Sequence, residues 1–146
     1  MDRRRMLMEK GILQIYQPGW KAFEKATIAD GKNWAHFQND YLEVGAINEA
    51  DEGKIVVLEA DFTKYKKLVI SAKRDSIAGS VDSGYICVGW SKDKNFYYSN
   101  VEYKDVESYL QTFEFDISGV TGNTYIHLRN WTSGTLDLYV YDIHLE

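Results

Sequence analysis

Apolar and polar residues alternate along most of this chain with a period of two. Leu68, Ile70 and Ala72 share one parity, as do Ile86, Val88 and Trp90, and Phe113, Phe115 and Ile117. Successive side chains of an extended strand point to opposite faces, so each triplet is an inward row of the kind two packed sheets require. Alternating or β-rich runs fall at residues 11–16, 41–47, 54–62, 67–73, 85–91, 95–99, 109–117, 125–131 and 135–145. Turn signals separate them: Pro18-Gly19, Asp30-Gly31, Asp51-Glu52-Gly53, Lys92-Asp93-Lys94-Asn95 and Ser118-Gly119. Strands at this spacing predict an all-β sandwich or barrel and argue against βαβ units. Helix is confined to a turn or two at 20–29 and another at 1–10. Residues 76–84 and 100–108 read as surface loops. The shared parities predict a core of Leu68, Ile70, Ile86, Val88, Phe113, Phe115, Ile126, Leu128 and Leu138.

The stretch from Tyr125 to Glu146 carries the most pointed pattern. Two alternating runs flank Thr132-Ser133-Gly134, a length and composition that suit a three-residue hairpin loop with Gly134 at positive φ. Pairing on that turn sets Trp131 opposite Thr135, Arg129 opposite Asp137, His127 opposite Tyr139 and Tyr125 opposite Tyr141. One face of this expected hairpin is Ile126, Leu128, Leu138 and Val140. The other carries Tyr125, His127, Arg129, Trp131, Asp137, Tyr139 and Tyr141. It is too aromatic for a bare solvated surface and too polar for a core. Sugar rings stack on Trp and Tyr while Arg, His, Asn and Asp read hydroxyls. Tyr, Trp and Arg also dominate protein–protein hot spots. The face therefore predicts a recognition surface made of Tyr125, His127, Arg129, Trp131, Asp137 and Tyr139, or a face covered by another segment or subunit.

Length and composition narrow the function classes. At 146 residues the chain reads as one domain that needs no metal or disulfide to hold a core. A net charge of -5 argues against nucleic-acid backbone binding. The single cysteine, Cys87, lies mid-strand and reads as a small buried residue, not a nucleophile. No run is long and apolar enough to span a membrane, and the N-terminus lacks the apolar stretch of a secretory signal. Enzyme chemistry is thin as well. There is no nucleophile elbow, no zinc-protease helix motif and no phosphate-cradling loop. His36, His127 and His144 share no ligand spacing, and Glu102, Asp105 and Glu107 read as solvated loop charges. The expectation is a non-enzyme.

The closing strands resemble those of galactose-binding-like jelly rolls, the group that includes many carbohydrate-binding modules. The likeness rests on Leu110-Gln111-Thr112-Phe113-Glu114-Phe115-Asp116-Ile117, on Tyr125-Ile126-His127-Leu128-Arg129, and on Leu138-Tyr139-Val140-Tyr141-Asp142-Ile143-His144-Leu145. Tyr65 to Lys73 is similar to an earlier strand of the same modules, and Trp34 to Val44 to their early hairpin. The resemblance implies a jelly-roll β-sandwich of two antiparallel sheets over residues 12–146. It also implies a structural Ca²⁺ held partly by Asp142. The alternative at Asp142 is a β-bulge, which the shift of core parity from Leu138 and Val140 to Ile143 and Leu145 favours.

Arg3-Arg4-Arg5-Met6-Leu7-Met8 resembles the runs that open or interrupt small structural proteins of tailed bacteriophages. That resemblance implies an N-terminal docking arm over residues 1–11, partners among other virion proteins or copies of the chain, and a place in a virion. The reading at this stage is a non-enzymatic structural or decoration protein of a phage or prophage particle. The alternative is a carbohydrate-binding module that recognises a cell-surface glycan on its aromatic face.

Overall fold

The structure, a computed structural model, describes residues 11–19, 26–28, 35–44, 56–75, 84–93, 102–132 and 137–146. Among these residues there is no helix. The strands in chain order are β1 (Leu13–Tyr16), β2 (Ala26–Ile28), β3 (Ala35–Phe37), β4 (Leu42–Val44), β5 (Val56–Asp61), β6 (Lys67–Arg74), β7 (Gly84–Ser91), β8 (Glu102–Val106), β9 (Gln111–Asp116), β10 (Asn123–Thr132) and β11 (Leu138–Leu145). They form two antiparallel sheets packed as a jelly-roll β-sandwich. The first runs β3-β4-β11-β6-β9, with β1 joining β4 along one edge of β11. The second runs β2-β5-β10-β7-β8.

The core lies between the sheets and follows the period-two pattern. Leu42, Val44, Leu68, Ile70, Ala72, Phe115, Leu138, Val140, Ile143 and Leu145 enter from the six-stranded sheet. Leu58, Ala60, Ile86, Val88, Trp90, Val106, Ile126 and Leu128 enter from the five-stranded one. Eight of the nine core residues expected from parity are fully buried; the ninth, Phe113, is half-buried and packs against them. Each such aliphatic or aromatic side chain contributes about 1.5–3 kcal/mol on leaving water. Trp90 and Phe115 meet edge to face across the layer at 6.3 Å.

Polar ties act both between the sheets and within them. Asn130 faces inward from β10, fully buried, and its Nδ2 donates to the Val44 carbonyl of β4 at 3.1 Å. Lys92, just past β7, reaches the start of β10, where its Nζ donates to Thr124 Oγ1 at 2.7 Å and to the Thr121 carbonyl. Gly119 (φ 86) and Gly122 (φ 78) turn the chain between β9 and β10, a backbone region where a side chain is strained.

The bulge expected near Asp142 is present. The register of β11 on β6 shifts between Val140 and Asp142, so core parity moves to Ile143 and Leu145. The early hairpin expected over Trp34 to Val44 is present in its described residues, 35–44, as β3 and β4, closed by the Gln38 amide donating to the Tyr41 carbonyl at 2.9 Å. Other expectations are corrected. Residues 26–28, assigned to a helical turn, form β2, and residues 102–106, assigned to a loop, form β8. In β8 the sequence Glu-Tyr-Lys-Asp-Val hides the fully buried Val106 at the end of a charged run. The run at 95–99 and the arm of Arg3, Arg4, Arg5, Met6, Leu7 and Met8 lie outside the described residues.

Candidate functional site

The expected pairing of the last two strands does not form. β10 pairs with β5 and β7, while β11 pairs with β6, β4 and β1. The chain crosses from one sheet to the other between them, so the expected recognition set is divided. Tyr125, His127 and Arg129 occupy alternate positions of β10 on the face of the five-stranded sheet turned away from the core, and Trp131 follows two residues on in the same strand. Tyr139 sits on the outward face of the opposite sheet. Asp137 precedes β11, with its carbonyl accepting from the Asp75 amide at 2.8 Å. The physical reason is simple. Parity assigns Ile126, Leu128, Leu138 and Val140 to the core whichever strands they pair with, so the pattern could not distinguish a hairpin from a crossover.

On the five-stranded sheet, β10 is central. Tyr125 lies between Glu59 of β5 and Ser91 of β7, His127 between Val57 and Gly89, and Arg129 opposite Cys87. Trp131 takes the position opposite Tyr85. Asn123, one step before Tyr125, donates from Nδ2 to Glu59 Oε1. His127 and Arg129 are 2% and 5% exposed. Both are thus buried on the side of the sheet away from the apolar core. Tyr125, Tyr85 and Glu59 around them remain half-buried.

The outward face of the six-stranded sheet is built differently. Glu43 of β4, Tyr139 of β11 and Lys73 of β6 form one row in register. Tyr41 stacks its ring 4.7 Å from Tyr139 and 5.9 Å from Tyr141, both tilted by 60°. Lys73 Nζ lies 5.7 Å above the Tyr141 ring. The Tyr139 phenol is pushed up to about 12 by burial first, then by the Asp75 and Asp137 carboxylates and its hydrogen bond to Asp75. It stays protonated and donates. Ser71 and Thr112 bond to each other at 3.1 Å on the neighbouring strands.

Further along β11, Asp142 has both carboxylate oxygens engaged. Gln14 Nε2 donates to Oδ1 at 2.6 Å and His144 Nδ1 lies 2.5 Å from Oδ2. Those contacts occupy the atoms a Ca²⁺ at Asp142 would need. Among the described residues, no group of three or more His, Cys, Asp or Glu is placed to hold a metal ion.

No protein-family model matches the chain, and no curated protein matches it. Solved structures do. A family 29 carbohydrate-binding module from Piromyces equi superposes with a TM-score of 0.64 at 16% identity, over 92% of this chain and 88% of that one. A mutant of a family 29 module solved with cellulohexaose gives 0.61 at 11% identity, over 92% and 89%. A family two carbohydrate esterase from Cellvibrio japonicus gives 0.54 at 11% identity, over 92% of this chain but 32% of the esterase. At these identities the likeness carries the fold, and the fold is the jelly roll of carbohydrate-binding modules. Nothing in the matches supports the resemblance of the N-terminal run to phage proteins or a virion role.

Proposed function

We propose that this domain is a non-catalytic carbohydrate-binding module whose recognition surface runs along β10 on the outer face of the five-stranded sheet. The observation that carries the reading is the make-up of that face in register: the half-buried Tyr125 and Tyr85 and the polar Glu59 and Asn123 stand around the closely packed Arg129 and His127. Partly exposed tyrosines and polar side chains on a sheet face, held by packed polar residues at its centre, are an arrangement that suits a glycan site. Fixed donors read hydroxyls, and rings take the C–H faces of the sugar. The family 29 likeness supports the same reading.

The test is isothermal titration of the full chain with cellulohexaose, mannohexaose and xylohexaose, for wild type, Tyr125→Ala, Arg129→Lys and Arg129→Ala. Truncating a buried recognition residue typically costs about 2 kcal/mol or more, so Arg129→Ala should lose binding. Arg129→Lys keeps the charge but not the planar fork and should bind at least about tenfold more weakly. Saccharide binding unaltered in Tyr125→Ala and in both Arg129 variants would overturn the proposal. So would a Tm collapse in Arg129→Lys with affinity unchanged, which would make Arg129 a structural clamp.

A further inference from the structure

We propose that His144 is a proton-operated latch on the edge strand β1. Protonated, it locks β1 onto β11; on losing its proton, it lets β1 open while the rest of the sandwich stays closed. The inference concerns the sheet opposite β10 and is independent of the saccharide reading above.

β1 is four residues long, and among the described residues it pairs with β11 alone. Its register slips between Gln14 and Tyr16, beside the bulge of β11 between Val140 and Asp142. Irregular strands meeting edge to edge lose part of the regular ladder, and here a side chain fills in. Gln14 is 4% exposed. Its Nε2 donates within β1 to the Tyr16 carbonyl at 2.5 Å and across to Asp142 Oδ1 at 2.6 Å. Asp142 Oδ2 in turn meets His144 Nδ1, and Nε2 of the same ring meets Glu146 Oε2. His144 is also the register partner of Gln14. One line of contacts thus runs from β1 through Asp142 to the imidazole.

That arrangement suits one protonation state. An imidazolium donates from both nitrogens, whereas the neutral ring has one N–H and one lone pair. Carboxylate oxygens lie 2.5 and 3.0 Å from the two nitrogens, so a neutral ring sets its lone pair against one of them. The ring or a carboxylate must then move, and one of those carboxylates is the Asp142 that Gln14 holds. Among the described residues, the strands packed against the ring offer no substitute. β1 brings Gln14, which does not titrate, and Tyr16, whose phenol is pushed up to about 12 by burial first. β6 sets Val69 opposite His144 and Ser71 opposite Asp142. Its Lys67 pairs with Glu114 of β9 at 3.5 Å, and its Lys73 lies over Tyr141. Asp116 of β9 accepts from Ser118. Ile15 and Tyr16 are buried in the core, so closed β1 is the resting state and the latch sets how often it opens. Opening bares the backbone groups of β11 from Ile143 to Leu145, an edge on which another strand can pair.

The experiment is amide hydrogen exchange of the ¹⁵N-labelled full chain from about pH 5 to about pH 9, spanning the imidazole range, in wild type, His144→Gln and Glu146→Gln. Rates are corrected for intrinsic base catalysis, and the His144 ring protons are followed in the same samples. The proposal expects the β1 amides to exchange through local opening, with less protection than those of β10 at every pH. Their protection should hold below the His144 midpoint and fall about tenfold or more above it. Glu146→Gln sets an amide donor against the bare nitrogen and should flatten the fall. His144→Gln should leave β1 weakly protected at every pH, with no step. If His144→Gln disturbs the fold, wild type and Glu146→Gln still decide the matter. Level β1 protection across the titration in wild type would overturn the proposal, as would a full step that persists in either variant. So would β1 amides as protected as those of β10, since the strand would then open only with the whole fold.

Discussion

His144 Nδ1 sits 2.5 Å from Asp142 Oδ2, and the same ring reaches Glu146 through Nε2 at 3.0 Å. One imidazole therefore spans two carboxylates at the end of β11, where β1 joins the sheet and Gln14 closes the cluster from its side.

That geometry makes stability depend on pH. The hydrogen bond to Asp142 raises the His144 pKa, burial works against it, and the bond to Glu146 adds to the rise. The folded-state value lies above the unfolded one, so the contribution is fully present below about pH 6.5 and is lost as pH climbs through the raised value. Thermal melts should fall by on the order of 2 °C across that window. The same step should vanish in His144→Gln. A variant that retains the step would assign it to another group.

Asn130→Ala should cost about 1–3 kcal/mol. The side chain is fully buried and its Nδ2 is a direct tie from the five-stranded sheet to the Val44 carbonyl of the other. Truncation leaves that carbonyl short of its donor in the middle of the sandwich. Urea denaturation measures the loss, and a change below about 0.5 kcal/mol would mean the tie is dispensable.

Much of the fold was legible in the sequence because period-two parity depends only on which side of a strand is apolar. Leu68 and Ile70, Ile86 and Val88, and Ile126 and Leu128 needed nothing else to be placed in the core. The bulge at Asp142 was equally visible, since Val140 and Ile143 cannot share a face without an extra residue. Strand partnership was not legible. Thr132-Ser133-Gly134 has the composition of a hairpin loop, but β10 and β11 belong to different sheets, whereas the hairpin pattern sets Tyr139 on the face of Arg129. The tyrosine cluster followed from the same gap. Tyr41 meets Tyr139 and Tyr141 only because β4 pairs with β11, a relationship nearly a hundred residues apart in sequence.

Phe113 and Phe115 share a parity but not a fate. Phe115 is fully buried, edge to face with Trp90, whereas Phe113 is half-buried at the margin of the core. Phe115→Ala should cost about 3–5 kcal/mol, the range for deleting a buried ring, and Phe113→Ala distinctly less. Equal losses in chemical denaturation would contradict the difference in burial.

Cys87 offers a direct test of what happens on the β10 face. It lies opposite Arg129 in register, on the side of the sheet away from the core, and it is the chain's single cysteine. The thiol is buried, so a thiol reagent should modify it slowly in the native protein and rapidly once denaturant opens the sheet. Modification of a buried site tracks the local opening free energy, and a ligand that binds the closed state suppresses opening by mass action. If β10 carries the glycan, saturating cellulohexaose should slow Cys87 modification by roughly the ratio of ligand concentration to Kd. A hundredfold excess over Kd should thus slow it about a hundredfold. Binding elsewhere on the domain would slow it only through global stability, and the protection would then survive in Arg129→Lys. Protection that disappears in Arg129→Lys places the saccharide beside Cys87.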